Sequence, residues 1–200
     1  MFRIVLAMMI SALSLPTFAE GDPARGKELS GTCVACHSED GNSIAGAFPS
    51  IAGQQPKYLL KQMIEIQTGD RAAPLMTGIL DNMSEQDLAD LAAFYGDQAA
   101  KGGAAKPELA ELGESIYRAG VPRKGIAACT ACHSPDGSGN DSAKFPALAG
   151  QWPEYTAAQL KAFRSGDRQN DGDGRMMRIV AMDLSDDEID AVSNYLYGLK

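Results

Sequence analysis

The hydrophobic positions of this 200-residue chain repeat with a helical period, and the pattern occurs twice. From Pro56 to Thr68, large side chains recur three and four residues apart, and residues 155–163 repeat that spacing. Ser84 and Ser185 each precede a further helical stripe and have an acidic residue three positions later, as in a capping box. The stripes are formed by Leu88, Leu91, Ala92 and Tyr95, and by Ile189, Val192 and Leu196. Because no segment alternates apolar and polar residues as a strand does, the sequence predicts an all-α fold.

The two halves also share short sequence segments. Phe48–Gln54 (FPSIAGQ) recurs as Phe145–Gln151 (FPALAGQ), and Gly69–Arg71 recurs as Gly166–Arg168. The offset between copies is 97 residues at both segments and 101 at the serines that start the last helices, so four extra residues lie within Gln169–Arg175. Such self-similarity is typical of a tandem repeat, here with the order helix, loop, helix, loop, helix in each half.

Composition places the boundaries of the repeat. Residues 99–107 carry Gly-Gly and a proline and have no apolar periodicity, which is typical of a linker. We therefore predict a first domain at 20–100, a linker at 101–107 and a second domain at 108–200. Residues 1–19 predict a secretory signal peptide, with Arg3 before an apolar run that is too short to span a bilayer, for which roughly 20 residues are needed.

All four cysteines and both histidines of the chain lie in two C-x-x-C-H segments. In such a segment the two thiols bond covalently to a haem, and the adjacent imidazole binds its iron. The sequence therefore predicts two covalently bound haem c groups. The predicted sites of covalent attachment are Cys33, Cys36, Cys129 and Cys132. The predicted proximal ligands of the iron are His37 and His133.

Other uses of these residues explain the pattern less well. Two disulfides would give the histidines no reason to follow each second cysteine directly. A zinc site would have to join ligands across nearly a hundred residues, since each segment alone supplies only three of four tetrahedral ligands. A redox-active dithiol would be expected beside strands, which the pattern does not contain.

A six-coordinate haem needs a distal ligand, and no histidine remains to supply it. Methionine thioether is the usual partner in electron-carrying cytochromes. Of the nine methionines, Met76 and Met177 each lie eight residues before the serine that starts the last helix, so they occupy equivalent positions. We predict that these two are the axial iron ligands, and Met176 remains the rival in the second half because the insertion precedes it.

The mature chain resembles the dihaem cytochromes c4. The resemblance rests on the paired C-x-x-C-H motifs, the FPxxAGQ and Gly-Asp-Arg segments, and Asn170–Asp173 leading to Met176–Met177. It implies two class I cytochrome c domains with His/Met ligation, packed about a pseudo-two-fold axis with the haem propionates near the interface. It also implies that the carbonyl groups of Pro49 and Pro146 accept the N–H of the proximal imidazoles. The first half departs from the family at Leu75-Met76, where a Met-Met pair is common.

The family shuttles electrons in bacterial respiratory chains, commonly towards terminal oxidases, so the resemblance implies a soluble electron carrier rather than an enzyme. Haem attachment outside the cytoplasm, together with the signal peptide, implies a periplasmic location. A peroxidase or dehydrogenase would need an open iron position and nearby acid–base groups, and no histidine is free to serve. The remaining alternative is a haem subunit of a periplasmic oxidoreductase complex, with a flavoprotein or a sulfur-compound dehydrogenase as partner.

The formal charge of −8 argues against nucleic-acid binding and leaves redox proteins as the expected partners. Residues 20–100 carry a net charge of −7 and residues 101–200 one of −2, so the molecule should have a charge dipole. We hypothesise that arginines around the second ligand loop steer docking near the second haem: Arg164, Arg168, Arg175 and Arg178. The alternative is that these arginines are ordinary solvated side chains and partners of the haem propionates. We expect a monomer, and we leave open a peripheral association with a membrane complex.

Overall fold

The computed structural model describes residues 20–199, and the predicted signal peptide at 1–19 lies outside them. The first domain contains α1 (Pro23–Leu29), α2 (Val34–His37), α3 (Pro56–Thr68) and α4 (Glu85–Gly96). The second contains α5 (Pro107–Ala119), α6 (Thr130–His133), α7 (Pro153–Ser165), α8 (Met176–Ala181) and α9 (Asp186–Gly198). Apart from isolated bridges at Val121–Ile126 and Asn140–Phe145, residues 20–199 contain no β-structure, which confirms the all-α prediction.

In each domain the first helix crosses the last one at a glycine. A side chain at Gly26 of α1 would overlap the backbone oxygen of Asp90 in α4, and one at Gly113 of α5 would overlap that of Ala191 in α9. The missing side chains let the two backbones approach more closely than any other residue would permit. This crossing fixes the frame against which α3 and α7 then pack.

The cores form along the helix faces that the sequence pattern indicates. The first core contains Leu59, Leu91, Ala92, Phe94 and Tyr95, and the second contains Ile116, Tyr117, Val121, Ile126, Leu184, Ile189, Val192, Leu196 and Leu199. Both capping boxes are complete, because the hydroxyls of Ser84 and Ser185 accept the N–H of Asp87 and Glu188, whose carboxylates accept the serine N–H in return. Each final helix therefore begins directly after its predicted serine, which caps it.

The ligand loops differ between the domains more than we predicted. In the first domain the loop contains a 3-10 turn at Pro74–Met76, whereas the second domain forms the six-residue helix α8 after the insertion. Asp171 holds the start of α8, since its carboxylate accepts the backbone N–H of Arg178 at 2.9 Å and its Nε–H at 2.7 Å. No helix within the described range combines the length and the apolar character that crossing a membrane requires.

Candidate functional site

The first motif places its histidine in a buried and fixed position. His37 ends the one-turn helix α2, where its backbone N–H donates to the carbonyl of Cys33 at 2.9 Å. Its ring is 7% exposed, and Nδ1 lies 2.9 Å from the carbonyl oxygen of Pro49. A carbonyl can only accept, so Nδ1 carries the proton and Nε2 keeps the lone pair that binds a metal. Burial lowers the pKa of His37, which favours this neutral form.

The second motif repeats this geometry in the other domain. His133 ends α6, and its Nδ1 lies 2.9 Å from the carbonyl oxygen of Pro146. Burial lowers the pKa of His133 as well. The two contacts from the proline carbonyls, which the family resemblance implies, are therefore confirmed, and each presents Nε2 in a fixed tautomer.

The four cysteines do not pair as disulfides, which leaves all four sulfur atoms available for haem attachment. Burial raises the pKa of Cys33, and burial raises the pKa of Cys129 to about 11. Before a haem is attached, burial therefore favours the protonated form of these two thiols, whereas a metal or dithiol site lowers the pKa of its cysteines. In the part of the chain that the structure covers, no three His, Cys, Asp or Glu side chains are grouped as ligands of a single metal ion.

The two predicted distal ligands occupy different local structures. Met76 ends the 3-10 turn and lines a cavity of about 320 Å³, together with Ile66 of α3 and Leu80. Met177 is the second residue of α8. Both side chains are half-buried. The assignment of these methionines as iron ligands stays a prediction.

The domains meet through reciprocal contacts. The side chain of Gln55 donates to the carbonyl oxygen of Ser138 at 2.6 Å, and the indole of Trp152 donates to that of Ser43 at 2.9 Å. Gln55 and Trp152 are equivalent in the sequence repeat, so each domain presents the same position to the other. The use of the same donor position in both directions is expected of an approximate two-fold relation, and it supports the pseudo-symmetry that the resemblance implies.

The arginines of the two Gly-Asp-Arg segments form the centre of this interface. Nη2 of Arg71 donates to the phenolic oxygen of Tyr155 at 2.8 Å, and Nη2 of Arg168 donates to that of Tyr58 at 3.1 Å. Each arginine also donates from Nη1 to a glutamine of its own domain. Over residues 20–199, neither guanidinium forms an ion pair with a carboxylate.

The environment of Arg71 and Arg168 indicates whether the site suits a haem. A largely buried guanidinium without an anionic partner is costly, and it fits a ligand that brings its own carboxylates, as the two propionates of haem c do. Together with the two fixed imidazoles and the four free thiols, this donor set fits two haem c groups. The sequence analysis considered Arg168 as a docking residue or a propionate partner and gave Arg71 no role, although the two arginines stand at equivalent positions of the repeat.

The remaining arginines of the predicted docking cluster are mostly committed to partners within the chain. Arg164 pairs with Asp186 at 2.6 Å, Arg178 pairs with Asp171 at 2.7 Å, and Arg168 lies between the domains. Arg175 is exposed, and no ion pair is found for it between residues 20 and 199. Three of the four arginines in the docking hypothesis therefore have partners within the chain, which charge counts do not reveal. The steering role stays a hypothesis, and Arg175 is the member that the structure leaves best placed for it.

The loop with the four extra residues, Gln169–Arg175, also contacts the first domain. The side chain of Asn170 donates to the carboxylate of Glu65 at 2.7 Å and to the amide oxygen of Gln62 at 2.9 Å, both on α3 of the first domain. In the other direction, Nζ of Lys61 on α3 donates a hydrogen bond to the carbonyl oxygen of Asn170 at 2.7 Å. The extra residues thus tie the ligand loop of the second domain to the first domain.

Comparison with known proteins gives concordant matches. A family model described as cytochrome c matches residues 23–95 and 101–200. The chain is 48% identical to cytochrome c4 of Azotobacter vinelandii, over 98% of this chain and 96% of that protein. It superposes on the crystal structure of reduced recombinant cytochrome c4 from Pseudomonas stutzeri with a TM-score of 0.89 and 47% identity, covering 90% of this chain and 100% of that one. It is also 38% identical to a thiosulfate dehydrogenase electron acceptor of Stutzerimonas stutzeri, over 82% of this chain and 76% of that protein.

Proposed function

The chain belongs to the cytochrome c4 family of electron carriers with two covalently attached haem c groups, and we propose that it carries single electrons between respiratory-chain components in the periplasm, towards a terminal oxidase. The predicted signal peptide at 1–19 accounts for export. The proposed organisation is a first domain at 20–100, a linker at 101–107 and a second domain at 108–200.

In this proposal each domain holds one haem with its own residues. Thioether bonds are formed by Cys33, Cys36, Cys129 and Cys132, and the axial ligands are His37 with Met76 and His133 with Met177. When bound, each haem supplies an iron that takes up one electron from a donor and releases it to an acceptor. The protein binds the group, fixes the imidazoles through Pro49 and Pro146, and closes the distal position with a thioether.

The observation that carries the proposal is the fixed neutral imidazole found once in each domain. An Nδ1–H held 2.9 Å from a backbone carbonyl is the second-shell contact that orients a histidine ligand. With both histidines committed in this way, the chain has no third one to act as an acid or base on a substrate. A carrier needs none, because it exchanges electrons without changing a substrate.

Two measurements on the exported protein test this function. Intact-mass analysis should give the mass of the mature chain plus two haem groups, and a potentiometric titration should show two one-electron waves, since the charge and ligand loops around the two haems differ. Free thiols in the exported protein, or a rapid reaction of the reduced protein with carbon monoxide, would contradict a carrier with closed iron sites. Cell fractionation tests the periplasmic location.

The distribution of surface charge indicates where redox partners bind. The first domain is more acidic than the second, and Arg175 of the second domain is exposed. This charge difference suits a donor and an acceptor that bind at different ends. We expect Arg175→Glu to slow electron exchange with an acidic partner at low salt, and to slow it less at high salt. Equal rates for the variant and the wild type at low salt would remove Arg175 from the docking surface.

A second candidate function is supported by the match to a thiosulfate dehydrogenase electron acceptor. In this alternative the chain is the haem subunit of a periplasmic oxidoreductase complex. Size-exclusion chromatography of the protein purified from its own periplasm distinguishes the two. A monomer supports the free carrier, whereas stable co-elution with a catalytic subunit supports the complex.

A further inference from the structure

The peptide group between Pro49 and Ser50 forms two hydrogen bonds that lead to different domains. Its carbonyl oxygen lies 2.9 Å from Nδ1 of His37 in the first domain. Its N–H, which belongs to Ser50, donates to Oε1 of Gln151 in the second domain at 2.9 Å. A single amide plane therefore connects the histidine of one domain to a side chain of the other.

The same arrangement occurs in the opposite direction. The carbonyl of Pro146 lies 2.9 Å from Nδ1 of His133, and the N–H of the same peptide group, on Ala147, donates to Oε1 of Gln54 at 2.7 Å. Each glutamine also donates a hydrogen bond from Nε2 to the same residue. Gln54 donates to the carbonyl oxygen of Ala147 at 2.9 Å, and Gln151 donates to that of Ser50 at 2.8 Å. Both glutamine side chains are buried. Each one is therefore held by two hydrogen bonds to one backbone residue of the other domain.

The hydrogen bonds from the peptide N–H groups to the glutamines affect the basicity of the histidine that binds the iron. When a peptide N–H donates a hydrogen bond, the amide is polarised and its carbonyl becomes a stronger acceptor. A stronger acceptor at Nδ1–H raises the basicity of the imidazole at Nε2. A more basic ligand stabilises the more positive, oxidised iron, so the reduction potential falls.

We propose that Gln54 and Gln151 are positioning residues that act across the interface, each adjusting the proximal histidine of the opposite domain and thereby the potential of that domain's haem. This rests on the proposed function, in which His37 and His133 are the proximal ligands. The docking of the two domains then becomes part of the redox tuning, because each domain completes the hydrogen-bond chain behind the other domain's histidine.

The test uses the full-length protein with both haems attached and the variant Gln54→Met. This substitution keeps the side-chain length but removes both bonds to Ala147 and the bond that Oε1 accepts from the backbone N–H of Gln55. We expect the potential of the second-domain haem to rise and that of the first-domain haem to stay unchanged. The reciprocal variant Gln151→Met should raise the potential of the first-domain haem alone. The matched control is Gln55→Met, because Gln55 also donates across the interface, to Ser138, without touching a peptide group that binds a histidine. It should leave both potentials unchanged.

A second readout follows the histidines directly. Because the chain contains two histidines, the reduced protein labelled with ¹⁵N-histidine has two Nδ1–H signals in its NMR spectrum. The signal of His133 should move upfield in Gln54→Met as its hydrogen bond weakens, and that of His37 should move in Gln151→Met. A general loosening of the interface would move both signals together in all three variants.

Three results would overturn the inference: a shift confined to the haem in the same domain as the substitution, an equal shift of both haems, or unchanged potentials and signals. In each case an unaltered thioether-to-iron band would show that the ligation in the proposed function still holds. If the wild-type protein showed no histidine ligation of its haem iron, the proposed function itself would be refuted. If one glutamine variant does not fold, the reciprocal variant carries the same test.

Discussion

Leu75 and Met176 occupy equivalent positions in the two domains, and the protein leaves 69% and 50% of their surface uncovered. The next residue in each domain, Met76 or Met177, is half-buried. The order of a more exposed residue followed by a half-buried one is therefore the same in both ligand loops, despite the insertion in the second. This equivalence favours Met177 over Met176 as the distal ligand.

Alanine variants separate the two candidates. Met76→Ala and Met177→Ala should each remove about half of the weak thioether-to-iron absorption band of the oxidised protein and open one iron to external ligands. Met176→Ala should leave the band intact and change the stability by no more than about 0.5 kcal/mol, as expected for an exposed side chain. Loss of the band in Met176→Ala with its retention in Met177→Ala would reverse the assignment.

The arginine pair at the interface predicts an electrostatic effect on both haems. A fixed positive charge nearby favours the reduced iron over the more positive oxidised form. Arg71→Gln and Arg168→Gln should therefore lower the reduction potentials, on the order of tens of millivolts, where about 59 mV is a tenfold change for a one-electron couple. Potentiometric titration measures the shift.

The control for this experiment is Arg123→Gln. Arg123 is exposed and pairs with Glu188, which keeps Lys124 as a second partner at 2.6 Å. Its removal should leave the potentials unchanged. Equal shifts in all three variants would mean that net charge, rather than the position at the interface, controls the potentials.

The capping box of α4 predicts a pH-dependent contribution to stability. Hydrogen bonds from Ser84 and then from Arg25 lower the pKa of Asp87 to about 2, from an ordinary value of 3.8. A carboxyl group with a lowered pKa in the folded state stabilises the fold above its unfolded pKa, and this contribution is lost as the pH falls through the folded value. Between pH 4 and pH 2, the free energy of unfolding should therefore decrease more steeply in the wild type than in Asp87→Asn.

Urea denaturation at several pH values measures this difference. Asp87→Glu should keep most of the steep decrease, because the second domain builds the same box with Glu188. Parallel curves for the wild type and Asp87→Asn would show that the carboxylate contributes nothing through its ionisation. Asp40, whose pKa is also lowered to about 2 by a hydrogen bond from Lys101, affects both proteins equally and cancels in the comparison.

Local signals were sufficient to predict the regular parts of the fold. The helix α3 has the predicted bounds because Pro56 suits a first helical turn and Gly69 adopts a left-handed conformation after its end. The last helices begin directly after their predicted serines for an equally local reason. The short helix α8 was missed because its start depends on Asp171, whose carboxylate reaches across the loop to Arg178.

The interface was the part that periodicity could not predict. Tyr58 and Gln62 belong to the large side chains that recur three and four residues apart between Pro56 and Thr68. A helical period does not say whether such a face meets the domain's own core or another domain. Both residues bind Arg168 of the second domain. The signal that does identify them is repetition, since Tyr155 and Gln159 stand at the equivalent positions. A polar residue repeated on a buried stripe therefore suggests a shared contact surface.

The helix crossings give the last prediction, which concerns folding stability. A methyl group at Gly26 would also lie 2.8 Å from Cβ of Phe94, and one at Gly113 would lie 2.6 Å from Cβ of Tyr195, besides overlapping the facing backbone. Because backbone atoms cannot move aside cheaply, Gly26→Ala and Gly113→Ala should each destabilise their domain by about 1–3 kcal/mol or more. The control is Gly31→Ala, since no atom lies within 4 Å of a side chain there. Thermal unfolding monitored by circular dichroism should show lower midpoints for the first two variants and an unchanged or slightly raised one for the third, whereas three equal midpoints would mean that the crossings tolerate a side chain.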